Sequence, residues 1–120
     1  ERDESGHSKF LGYVIRCGTL GLYHSGDTVR YEGMAERLRP HRVDLALLPI
    51  NGALPERRVP GNLSGVEAAR LAKDIGARLV IPCHYDMFAF NTASPAELLS
   101  ECERLGQPSR VLRCGERFEG

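Results

Sequence analysis

The segment "GLYHSGDTVRY" (21–31) leads through Leu22 and Tyr23 to a histidine, turns on Ser25 and Gly26, and presents Asp27. A second apolar run, "LVIPCHYDMF" (79–88), ends on His84. A carboxylate and a neutral imidazole are ordinary ligands for Zn²⁺ and similar divalent ions. Both side chains would stand at strand ends, which hold a ligand more tightly than a mobile loop does. Each also has a plain structural reading, Asp27 as the oxygen of an Asx turn and His84 as a hydrogen-bonded histidine at the core edge. Two donors alone bind an ion weakly, so metal chemistry would need further ligands.

Other residues fall into place around this pair. Asn51 in "PING" and Asn62 in "GNL" flank a long loop and are candidates for contacting a substrate, or else turn formers. Tyr85 could reach a substrate oxygen and Asp86 could brace a ligand; Met87, Phe88 and Phe90 read as core or pocket wall. His24, three residues before Asp27, suits a role in orienting the turn. His7 reads as a solvated turn residue and His41 as a surface residue. The four cysteines, Cys17, Cys83, Cys102 and Cys114, form no C-x-x-C pair. They are expected to be reduced, inert thiols of a cytoplasmic protein rather than disulfides or a zinc knuckle.

The elements that must position these groups alternate. "FLGYVIRC" (10–17) and "GTLGLYH" (18–24) read as an antiparallel strand pair. "VRYEGMAERLRPH" (29–41) reads as a charged helix that stops at Pro40. "VDLALLPI" (43–50) is a short apolar run, as expected of a buried strand. The proline- and glycine-rich stretch 51–63 is long for a connection inside a compact domain, and such loops tend to serve function. Ser64 and Glu67 form a capping-box pattern opening a helix through Ile75, with Gly76 suited to end it. "ARLVIP" is the next buried strand. Ser94 and Glu97, with Pro95 between them, predict a second capping box and a helix to Leu105 closed by Gly106. "SRVLRC" and "RFE" read as terminal strand-like segments. The order β-β-α-β-α-β-α-β describes a layered α/β sheet.

At 120 residues the chain has the length of one domain with a modest core. Sixteen basic and sixteen acidic residues cancel, leaving no field to gather nucleic acid or an anionic membrane. No apolar run approaches the roughly 18 residues of a membrane span.

"YHSGDT", then "LLPING", then "GNLSGVEAARLAKDIGARLVIPCHYDMFAFN", resembles the C-terminal half of a metallo-β-lactamase-fold hydrolase, and within that superfamily the branch of L-ascorbate-6-phosphate lactonase and its relatives. The resemblance runs from about residue 10 to residue 95. It implies half of an αββα sandwich, with residues 1–120 as the C-terminal portion of one such domain. It also implies two divalent metal ions, zinc or manganese, with Asp27 bridging them and His84 binding the second. A bridging carboxylate lets the ions share one water, which then loses a proton readily and attacks the substrate. The implied activity is hydrolysis of a lactone or related ester, phosphorylated small molecules included. Phosphodiester cleavage is the alternative that the same site would serve, and a metal-free interaction module is the alternative outside enzymes.

One departure is large: the superfamily motif H-x-H-x-D-H is absent from these 120 residues. The chain is therefore expected to be part of a longer polypeptide, inactive alone. Its missing N-terminal half would cover one face of the sheet. Without that cover, apolar parts of 44–50 and 78–82 would be exposed and favour self-association, so a homo-oligomer is also expected.

Overall fold

The computed structural model describes residues 2–53, 61–86 and 93–120. Its order is β1 (Tyr13–Cys17), β2 (Leu20–His24), α1 (Met34–Leu38), a 3₁₀ turn (Arg39–His41), β3 (Leu45–Pro49), α2 (Gly65–Asp74), β4 (Leu79–Cys83) and α3 (Ala96–Leu105). The four strands form one sheet in the order β1-β2-β3-β4. The first pair is antiparallel, and β2, β3 and β4 run parallel. Parallel neighbours need a crossover, and the helical segments between these strands supply it.

Alternation along each strand divides the sheet into two faces. Tyr23, Ala46 and Val80 lie side by side across β2, β3 and β4 and join the main core with Leu48. That core is completed by Ala68, Ala69, Leu71 and Ala72 of α2 and by Leu98 and Cys102 of α3. Small alanines on the inner face of α2 let the helix approach the sheet closely. The opposite face carries Ile15, Leu22, Leu45 and Leu79 in one cross-strand row and Tyr13, His24, Leu47 and Ile81 in the next. Its exposure is uneven. Tyr13, Ile15 and Leu20 of the hairpin are exposed, Leu45, Leu47 and Leu79 are half-buried, and Ile81 is buried. The bare apolar surface thus lies more on β1 and β2 than on β3 and β4, the strands expected to carry it.

The capping box of α2 forms as its sequence requires: Ser64 Oγ accepts from the Glu67 amide and Glu67 Oε1 accepts from the Ser64 amide. Gly76 is left-handed, with φ +72°. Three expectations are corrected. The helix expected over 29–41 shrinks to five residues, because Gly33 at φ +80° breaks the backbone ahead of Met34. Pro40 then sits inside the 3₁₀ turn rather than after it. At α3 no capping box forms: Pro95 itself occupies the N-cap with helical angles, and Ser94 Oγ accepts from the Ala96 amide instead. The residue before a proline is biased away from helical angles, which leaves the serine one position too far out. The last strand is reduced to one bridge between Val80 and Ser109, since Pro108 has no N–H to extend the ladder and the Gln107 amide is spent on Cys102.

The far end of the sheet from the candidate site is pinned by Asp44. Its carboxylate accepts from the Gly21 amide at 2.7 Å and from Arg78 at 3.3 Å. The Gly21 bond, then Arg78, holds its pKa below the usual carboxylate value. Between the helices, Glu101 of α3 accepts from Arg70 of α2 and from Arg104.

Candidate metal centre

The C-terminal ends of three adjacent parallel strands open onto one edge of the sheet, the position where α/β sheets collect functional groups. Asp27 follows β2, Asn51 follows β3 and His84 follows β4. The structure brings Asp27 and His84 together, with Nε2 of the imidazole 2.8 Å from Oδ1 of the carboxylate. Both remain accessible, the side chains being 60 % and 38 % exposed respectively, so an incoming ion or substrate can reach them.

The turn before Asp27 is tightly specified. Gly26 is left-handed at φ +62°, and a Cβ there would lie 2.8 Å from the backbone oxygen of Leu11. The Gly26 amide donates to Nδ1 of His24 at 3.0 Å, so His24 orients the turn as its position suggests. The Ser25 amide donates to Leu47 O, tying the same turn to β3. On the other side, His84 and Asp86 both take positive φ, +59° and +51°. Such angles are uncommon for side-chain-bearing residues and cluster at ligand sites. Here they turn the chain sharply as it leaves β4.

Asn51 and Asn62, expected to face a substrate, are instead buried, at 4 % and 5 % exposure. Asn62 Nδ2 donates to Asn51 Oδ1 at 2.9 Å and to Asp27 Oδ1 at 3.4 Å. Their burial and inward hydrogen bonding set them behind Asp27 rather than on the open surface. This link between Asn62 and Asp27 is not legible in the sequence, because "NG" and "GN" next to a loop read as turn residues. Asn62 Oδ1 is buried without a hydrogen-bond partner among the described residues. An acceptor left in that state costs about 1–3 kcal/mol.

Tyr85 packs against the core, and its buried Oη also lacks a hydrogen-bond partner among the described residues. Burial, then the nearby Cys114, Asp86, Cys83 and Glu116, pushes its pKa up, so the phenol stays a neutral donor. Burial likewise pushes up the Cys83 thiol, which disfavours the thiolate a metal would need. None of the four cysteines is in a disulfide. His7 is turned to Asp3, 3.6 Å away. Met87, Phe88 and Phe90 lie outside the described residues.

The donor set fits a divalent ion as a partial site. A carboxylate and an imidazole in contact, both accessible, would hold such an ion, which would supply Lewis-acid polarisation there. Among the described residues no cluster of three or more His, Cys, Asp or Glu side chains is assembled. Two donors are therefore what the described residues offer, and the rest of a stable coordination shell must come from elsewhere.

Comparison with known proteins identifies the family. The Beta-lactamase superfamily domain matches residues 1–85, and the chain belongs to that family. A UPF0173 metal-dependent hydrolase of Opitutus terrae is 34 % identical over 108 residues, covering 90 % of this chain and 44 % of that protein. One from Alkaliphilus metalliredigens is 39 % identical over 84 residues, 70 % of this chain and 34 % of that protein. Among solved structures, Igni18, a metallo hydrolase from Ignicoccus hospitalis, superposes with a TM-score of 0.72 at 27 % identity, over 90 % of this chain and 46 % of that one. The chain thus spans less than half the length of these proteins. Among the described residues, no helix is long and apolar enough to cross a membrane.

Proposed function

We propose that this chain forms the C-terminal half of a metal-dependent hydrolase, with Asp27 and His84 among the ligands of a two-metal site. The contact between these two side chains, delivered from β2 and β4 to one sheet edge, is the observation that carries the reading. The metal-dependent hydrolases among its relatives support it. Bound divalent ions, zinc or manganese, would supply Lewis-acid polarisation of a scissile bond and activation of water. The chain's own residues hold that chemistry in place. The Gly26 turn and His24 aim Asp27, and the left-handed exit from β4 aims His84.

The substrate we infer is a lactone or related ester on a small, phosphorylated molecule, following the likeness of "HSGDT", "LLPING" and "CHYDMF" to the L-ascorbate-6-phosphate lactonase branch. The remaining ligands are assigned to an N-terminal half on the same, longer polypeptide. The chain's share of its relatives' length supports this, as does the apolar sheet face on β1 and β2. That half would pack on this face, and a homo-oligomer would bury what remains of it.

The test is hydrolysis by the complete protein, loaded with zinc or manganese, of a lactone panel against a phosphodiester panel. Lactone turnover that Asp27→Ala abolishes, in a variant of unchanged circular dichroism, is the expected result. Turnover confined to phosphodiesters would overturn the substrate class, and wild-type turnover by Asp27→Ala would overturn the site.

A further inference from the structure

We infer that Asn62 is a positioning residue for the Asp27 carboxylate, and that Asn51 acts as the lock that fixes its orientation. The inference rests on the reading of Asp27 as a metal ligand and adds the device that aims it.

The argument starts from the amide's inventory. A carboxamide nitrogen carries two N–H groups, and both of Asn62's have an acceptor: Asn51 Oδ1 at 2.9 Å and Asp27 Oδ1 at 3.4 Å. The shorter bond fixes the rotation of the amide plane, and the second N–H then points at Asp27. Turning the Asn62 amide over would set its oxygen against the Asp27 carboxylate, which only accepts, so that carboxylate decides the orientation.

The backbone reinforces it. Asn51 bridges to Ser64, the Gly52 amide donates to Leu63 O at 2.9 Å, and the Asn62 amide donates to Gly52 O at 3.0 Å. The residues entering and leaving the long loop are thereby zipped together beside the end of β3, immediately ahead of the rigid, box-capped α2. Asn62 thus reaches Asp27 from a braced element, although its own residue lies in a connection.

The consequence concerns Asp27 Oδ1, which faces both Asn62 and His84. An N–H fixed on this oxygen restrains rotation of the whole carboxylate and so sets the direction in which Oδ2 faces. Groups that orient a ligand in this way typically change metal affinity by 10–100-fold when removed.

The experiment uses the complete protein and measures Zn²⁺ affinity by competition with a chromophoric chelator, alongside thermal melting of the metal-free forms. Asn62→Leu keeps the approximate volume and removes both donors; a 10–100-fold loss of affinity is expected. Asn51→Leu should weaken binding in the same direction, and Asn51→Asp, which keeps the acceptor, should restore it. A role confined to folding would lower melting temperature without this pattern in affinity. Wild-type affinity in a folded Asn62→Leu overturns the inference, and if that variant does not fold, wild-type affinity in Asn51→Leu does so. Asp27→Asn separates the two levels of argument. If it binds Zn²⁺ as wild type does, the ligand assignment itself fails, whereas its loss together with an unaffected Asn62→Leu refutes only the positioning role.

Discussion

Replacing Gly26 by alanine tests how tightly the turn that presents Asp27 is specified. Two penalties add. A side chain at φ +62° costs about 1–2 kcal/mol relative to glycine, because its Cβ crowds the following carbonyl. The new Cβ would also lie 2.8 Å from Leu11 O, a backbone atom that can withdraw only by moving the chain ahead of β1. Forcing such a contact costs about 1–3 kcal/mol more. Together they destabilise the protein by about 2–5 kcal/mol, enough to lower a urea midpoint by at least about 0.7 M at the m-values of small domains, about 1–3 kcal/mol/M. Gly33 supplies the control. It is left-handed at φ +80°, but a Cβ added there would meet nothing within 4 Å, so Gly33→Ala should show the conformational penalty alone. Equilibrium urea unfolding followed by far-ultraviolet circular dichroism measures both. A Gly26→Ala variant no less stable than Gly33→Ala would refute the claim that Leu11 confines the turn.

Acid should loosen the packing of α2 against α3. Hydrogen bonds from Arg104, then from Arg70, lower the Glu101 pKa from 4.5 to about 2. Because the folded value lies below the unfolded one, the stabilisation is complete above about pH 4.5 and fades as pH falls toward 2. The stability difference between wild type and Glu101→Gln, read from thermal melts, should therefore shrink across that window; a difference independent of pH would contradict it. Ser64→Ala removes one half of the α2 capping box and should cost about 1 kcal/mol in urea unfolding. A cost near zero would mean that α2 is held by its packing alone.

Much of the architecture is legible in the sequence because local chemistry and tertiary structure agree. The Ser64–Glu67 box, the left-handed Gly76 and Gly106, and the apolar runs of β3 and β4 each stand where their residues require. The misreadings arise where one residue outweighs a pattern. Gly33 cuts a helix that the charge pattern would extend, Pro95 takes the cap expected of Ser94, and Pro108 starves the last strand of a donor. The candidate site divides in the same way. The strand-end positions of Asp27 and His84 are legible from the apolar runs before them, whereas their reading as ligands comes from the family resemblance. The bond from Asn62 to Asp27 joins residues far apart in sequence, and no spacing rule reveals a contact that only the folded loop creates.

The most direct measurement is the divalent metal content of the complete protein and of its Asp27→Ala and His84→Ala variants, by elemental mass spectrometry after gel filtration. A two-metal site built on this pair predicts close to two ions per chain in the wild type and a marked loss in each folded variant. Wild-type metal content in both variants would contradict it.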